Sequence, residues 1–112
     1  MTDADIIPIN YVELAGGDLP RTKRFYAAAF GWAFTDYGPE YAAMTNAGLD
    51  GGFTATELHA PLVILKADDL EAALKRVQAN GGEVTVPTFE FPGGRRFHFR
   101  DPAGNELAVW AE

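Results

Sequence analysis

Histidine is scarce in this chain, with His59 and His98 the only two, and there is no cysteine. His98 stands in "FHFR" between Phe97 and Phe99, just ahead of "DPAGNELAVW". An imidazole with a reference pKa near about 6.5 can take or give a proton at neutral pH. Glu13 could orient that ring or serve as a second base, and Arg96 could fix a carboxylate or phosphate through paired hydrogen bonds. Tyr11 and Trp110 offer stacking surfaces. For metal binding the available pieces are His59, Glu57, His98 and Glu13, and their spacing matches no dedicated motif such as H-x-x-x-H. Each residue also has a plainer reading. His98 could be a hydrogen-bonded interior histidine, Glu13 the partner of a nearby arginine, Arg95 and Arg96 surface charges, and His59 an exposed loop residue.

Composition narrows the chemistry further. A chain of 112 residues with 47% hydrophobic and 12% aromatic content supports one compact core. A net charge of −7 argues against a phosphate backbone as partner, although "GGRRFHFR" gathers three of the six arginines. The absence of cysteine excludes disulfides, thiolate metal sites and a cysteine nucleophile. No apolar run reaches membrane-spanning length, and Met1 is followed by acidic residues rather than a basic leader. The expectation is a cytoplasmic protein with no nucleic-acid or membrane partner.

The elements that must position these residues repeat. Placing Asp18-Leu19 on Asp69-Leu70, an offset of 51, aligns "YVELAGGDL" with "LVILKADDL". Val12 then falls on Val63, Leu14 on Leu65 and Gly31 on Gly82. Each copy runs from a strand through an acidic boundary into a helix that ends at glycine. In the second helix Leu70, Ala73, Leu74 and Val77 form one apolar stripe, with Asp68 or Asp69 as N-cap and Gly81-Gly82 as the stop. The first helix follows Asp18, tolerates Pro20 in its first turn and ends at Gly31. Its expected apolar face is Leu19, Phe25, Tyr26, Ala29 and Phe30. Strands are expected over 7–14, 32–37, 41–46, 51–56, 62–67, 84–87, 95–100 and 106–110. Asp101-Pro102-Ala103-Gly104 has the residues of a type I turn joining the last two. The linker between copies is "TELHAP", so the modules cover about 6–57 and 61–112 of a single domain.

"DLPRTKRFYAAAFGW" in the first half, "DPAGNELAVW" at the end and the duplicated order together resemble the vicinal oxygen chelate superfamily. That superfamily includes glyoxalase I, bleomycin-resistance proteins and extradiol dioxygenases. The resemblance implies an α+β fold of duplicated βαβββ modules, a curved mixed sheet forming a cup, and helices packed outside. It also implies a divalent metal held by side chains from the strands. Carried over by position, the ligand sites fall on Tyr11, Leu62 and Ala108, with a fourth near residues 51–57, where Glu57 is the nearby carboxylate. Leu62 and Ala108 have no donor atom, so no metal cofactor is expected.

Because side chains alternate along a strand, those positions imply which residues face the cup. They are Tyr11 and Glu13, Leu62 and Ile64, and Glu106, Ala108 and Trp110. Phe97 and Phe99 are then core, leaving Arg96, His98 and Arg100 to the cup side. The loop with Asp36, Tyr37, Glu40 and Tyr41 could rim the cup or be an ordinary hairpin. A mostly apolar cavity with a few polar groups suits a small organic ligand. The resemblance therefore implies a metal-independent binder, with isomerase- or lyase-type proton transfer by His98 and Glu13 as its reaction. Tyr11, Leu62, Ile64, Arg96, Ala108 and Trp110 would contact the ligand. The alternatives are a drug- or metabolite-sequestering protein of the bleomycin-resistance type and a structural or regulatory subunit. A homodimer is the expected assembly.

Overall fold

The computed structural model describes residues 6–112, so the acidic start of the chain lies outside the described residues. The fold is α+β, in the order β1 (Ile9–Ala15), α1 (Leu19–Phe30), β2 (Phe34–Asp36), β3 (Tyr41–Met44), β4 (Gly51–Thr54), β5 (Leu62–Lys66), α2 (Leu70–Ala79), β6 (Glu83–Phe91), β7 (Gly94–Arg100) and β8 (Glu106–Ala111). The expected βαβββ order therefore occurs twice. Among the described residues no helix is long and apolar enough to cross a membrane. The chain divides into two compact units, Tyr11–Leu62, and Val63–Glu112 with the stretch ahead of Tyr11.

In Tyr11–Leu62, β1 pairs parallel with β4, β4 antiparallel with β3, and β3 antiparallel with β2. Asp18 caps α1 by accepting from the Arg21 amide at 3.2 Å, and Gly31 ends it in the left-handed region at φ 77°. Leu19 of α1 is buried against Ala42, Met44 and Phe53, with Leu14, Tyr26, Trp32 and Phe34 packed around them. The expected apolar face of α1 needs correction. Phe25 and Phe30 are 57% and 63% exposed, and Ala29 is exposed too. Leu19 and Tyr26, seven residues apart and so nearly in line along the helix, make the inward stripe. Phe25 points well away from that stripe, and Phe30 is the last helical residue. The Phe25 ring packs edge-on against Tyr26 and Phe30, and Phe30 lies tilted against Tyr26 and Trp32.

Val63–Glu112 repeats the pattern, with β5 parallel to β8, β8 antiparallel to β7, and β7 antiparallel to β6. The correspondence extends to register. Val12 opens the β1–β4 ladder opposite Gly51, and its repeat mate Val63 opens the β5–β8 ladder opposite Leu107. Asp69 is the N-cap of α2, accepting from the Ala72 amide at 3.0 Å. Leu70 and Ala73 are buried with Ala67, Phe97, Val109 and Ala111. Here β6 runs four residues beyond the expected end at Pro87. Pro87 lacks an N–H, and β6 is the last strand of its unit's order, where a missing donor is tolerated. The ladder absorbs it through register shifts between Val84 and Val86 and between Val86 and Phe89.

The β7–β8 hairpin closes on Asp101. Its Oδ1 accepts from the amides of Ala103 and Asn105, both at 2.9 Å, and Oδ2 accepts from Asn105 Nδ2 at 3.0 Å. The Gly104 amide donates to the Asp101 carbonyl at 2.9 Å, closing the turn, and Gly104 sits at φ 98°.

Two outcomes follow from this packing. Phe97 is fully buried, so Phe97→Ala should cost about 3–5 kcal/mol, read from urea denaturation. The Asn105 side chain first, and then the turn amides, hold the Asp101 carboxyl below its ordinary pKa. A depressed folded pKa contributes stability above the unfolded value that is lost as pH falls through the folded one. Asp101→Asn should therefore flatten the acidic limb of melting temperature against pH.

Candidate functional site

The side of Val63–Glu112 opposite α2 is built by register. Ile64 is level with Ala108, Ala108 with His98, and His98 with Val86. The next level on that side carries Lys66, Trp110, Arg96 and Phe89. Alternation sends Leu65, Val109 and Phe97 the other way, into the core under α2. Arg95 also goes that way and meets Glu71 of α2 at 2.5 Å. Leu62 begins β5, half-buried, two residues before Ile64.

Cations and rings alternate along this side. Lys66 Nζ lies 4.9 Å from the centre of the Trp110 ring, and the Trp110 and Phe91 centroids are 6.0 Å apart. The Arg96 guanidinium lies 5.4 Å from the Phe89 ring and 5.7 Å from Phe91. Phe89 in turn approaches the His98 ring at 5.8 Å. The polar ends are held as well. Trp110 Nε1 donates to Asn10 Oδ1 at 2.8 Å, and Lys66 pairs with Glu112 at 3.3 Å. Glu106 lies beside His98, with Oε2 3.5 Å from Nδ1, and Thr85 Oγ1 donates to the same oxygen at 3.0 Å. Only 14% of the His98 side chain is exposed, against 44% for Glu106. Ile64 and Ala108 are buried.

In Tyr11–Leu62 the side opposite α1 carries Tyr11 and Glu13 from β1. Glu13 is level with Gly52 of β4, and Gly52 with Ala43 of β3. The Tyr11 and Tyr41 hydroxyls hydrogen-bond to each other. They occupy the space where a side chain at position 52 would project. Burial, the largest influence, raises the Tyr11 pKa above that of an ordinary phenol; the Tyr41 bond works against this, and Glu13, Asp50 and Tyr37 add to it. Tyr11 is thus a neutral hydroxyl at physiological pH.

A family model described as Glyoxalase/Bleomycin resistance protein/Dioxygenase superfamily matches residues 8–109. The chain belongs to this superfamily. The anthracycline biosynthesis protein DnrV of Streptomyces peucetius is 31% identical, over 89% of this chain and 45% of DnrV. The chain thus spans less than half the length of the curated relatives it matches. The Mn(II)-bound glyoxalase of Novosphingobium aromaticivorans superposes with a TM-score of 0.69 at 23% identity, covering 95% of this chain and 39% of that one. Methylmalonyl-CoA epimerase from Mycobacterium tuberculosis gives a TM-score of 0.69 at 14% identity, covering 99% and 92%. At such identities the superpositions speak for the superfamily fold alone.

The superfamily's metal does not fit the side chains here. The register identifies the fourth ligand position, because Gly52 stands to Glu13 as Ala108 stands to Ile64. The carried-over set therefore reads Tyr11, Gly52, Leu62 and Ala108: one phenol whose proton is firmly held, and three side chains without a donor atom. Glu57, the carboxylate suggested by sequence, is exposed in the linker, as is His59, whose Nδ1 lies 2.7 Å from the Ala60 carbonyl oxygen. Among the described residues no group of three His, Cys, Asp or Glu side chains converges.

Several residues of these two faces escaped the sequence reading. Lys66 shares the parity of Leu62 and Ile64 and was legible from alternation. Phe89 and Phe91 were hidden because the strand was expected to stop at Pro87. Gly52 was obscured by uncertain register in a glycine-rich stretch. Elemental analysis of the purified protein should find transition metal well below one equivalent per chain, even after incubation with excess Ni(II), Zn(II) or Mn(II) and desalting.

Proposed function

We propose that this chain binds a small, planar, anionic organic molecule without a metal, on the side of Val63–Glu112 opposite α2. The observation that carries this reading is the alternation of Lys66, Trp110, Phe91, Arg96 and Phe89. Two rings lie 5.4 and 5.7 Å from the Arg96 guanidinium, and a guanidinium is suited to a carboxylate by its planar fork of N–H donors. Trp110 and Phe91 supply ring surface for a planar body. The buried Ile64 and Ala108 make the adjoining floor apolar, in keeping with small-molecule sites. The name of DnrV, a relative in anthracycline biosynthesis, agrees in kind, since anthracyclines are planar aromatic compounds. Binding alone would suffice for a sequestering protein. We further propose a homodimer, since two copies of this chain would approach the length of the curated relatives.

A second reading adds chemistry, and the His98–Glu106 pair favours it. A carboxylate beside an imidazole nitrogen holds the ring's orientation, and an imidazole is a group that can exchange a proton with a ligand at neutral pH. Glu13 is the other carboxylate proposed for proton transfer. Epimerisation next to a carbonyl, the activity named for the Mycobacterium tuberculosis neighbour, is chemistry of this type.

A thermal-shift panel of benzoate, salicylate, naphthoates and anthraquinone carboxylates tests the binding reading, since a ligand of the native state raises its melting temperature. Arg96→Ala should weaken any hit by about 10-fold or more, the range of a charge-assisted hydrogen bond. Trp110→Ala should also weaken it. A hit indifferent to both substitutions would place the ligand elsewhere. If a hit turns over, His98→Ala should abolish turnover while melting stays cooperative. Light scattering reads the dimer.

A further inference from the structure

The other unit carries a feature that the reading above does not use. Gly52 is one of the buried residues of β4, and its backbone does not require glycine, since its φ is not in the left-handed region. Space requires it. A Cβ built there would lie 2.8 Å from the Tyr11 hydroxyl and closer still to the Tyr41 hydroxyl and ring. Glycine at 52 and tyrosines at 11 and 41 are therefore one arrangement, because any side chain at 52 displaces both phenols. Tyr11 comes from β1 and Tyr41 from β3, on either side of β4, and their oxygens meet over that gap.

Two phenols carry two O–H protons, and the bond between them uses one. Either hydroxyl can be the donor of that bond; in the arrangement in which Tyr41 donates, the Tyr11 hydrogen is the one directed to a third atom. What that atom is follows from the surroundings. Glu13 and Asp50 are the carboxylates whose charge acts on Tyr11. An anionic ligand would meet repulsion there, whereas a neutral acceptor would not. We propose that the Tyr11–Tyr41 dyad, seated over Gly52, is a binding element for the neutral carbonyl oxygen of a ketone, ester or amide. Tyr11 donates to that oxygen and Tyr41 fixes the orientation of Tyr11. The element uses residues of Tyr11–Leu62 only, and it goes beyond the anion-binding reading.

Acetophenone is the probe, because its carbonyl stretch in the infrared moves to lower frequency when the oxygen accepts a hydrogen bond. Wild-type protein should bind it with a lowered stretch. Tyr11→Phe and Tyr41→Phe should each weaken binding by about 2–10-fold, the span of one neutral hydrogen bond, and return the stretch toward its unbonded value. Gly52→Ala should do the same although both phenols remain. If Gly52→Ala does not fold, the two phenylalanine variants, checked by circular dichroism, decide the matter. An unshifted stretch, absence of binding to wild type, or an equal shift in both phenylalanine variants overturns the proposal. Benzoate, the same ring bearing a carboxylate, separates the two readings. Its binding should fall in Arg96→Ala and persist in Tyr11→Phe, so a failure of benzoate bears on the anion site and a failure of acetophenone on the dyad.

Discussion

A residue on a β-strand has only two directions in which to place its side chain, and its neighbours must take the other one. In this protein that constraint governs both units. Once Phe97 and Val109 are committed to the core under α2, Arg96, His98, Ala108 and Trp110 must leave on the opposite side. Once Leu14 and Phe53 are committed under α1, Tyr11, Glu13 and position 52 must leave together as well. A slip of one residue in β7 would bury Arg96 and His98 among the core residues under α2, at a cost far above that of any surface contact. The turn at Asp101 guards against that slip in β7 and β8, since one carboxylate holds two amides and the Asn105 side chain.

The same scaffold that carries a metal in one superfamily member carries polar organic groups here. A divalent ion needs several lone pairs converging on one point, and Leu62, Ala108 and Gly52 supply none. Each unit presents polar side chains of its own kind instead. In Val63–Glu112 a guanidinium and an ammonium lie against rings, which suits charge. In Tyr11–Leu62 two phenol side chains meet near the Glu13 and Asp50 carboxylates, which disfavours an anion. The contrast follows from neighbouring charge more than from the identity of the donors. It also separates what a fold can host from what a given set of side chains does with it.

Pro87 illustrates how a local rule and a tertiary outcome can disagree without conflict. Its missing donor makes it a natural end for a strand, and the sequence reading ended β6 there. As the outermost strand of its unit, β6 can skip a ladder bond, shift register and continue to Phe91. The continuation matters because Phe89 and Phe91 are the rings on which Arg96 lies. Helix α1 shows the reverse case. Its aromatic residues read as one apolar face, and only part of that face finds a sheet to cover.

The order of strands and helices, the two aspartate caps and the hairpin turn were legible in the sequence because each depends on residues close together in the chain, and the duplication because the same local order occurs twice. The superfamily was legible for the same reason, and so was the lack of donor atoms at Leu62 and Ala108. Pairings between distant strands were not. That Glu106 is the carboxylate beside His98, that Arg96 lies against Phe89 and Phe91, and that Tyr11 meets Tyr41 over Gly52 depend on register across ladders, which no local pattern encodes. Sequence determined which side chains were available and which of them alternate together. Tertiary structure decided which of them touch, because contact between strands is set by the core that both must share.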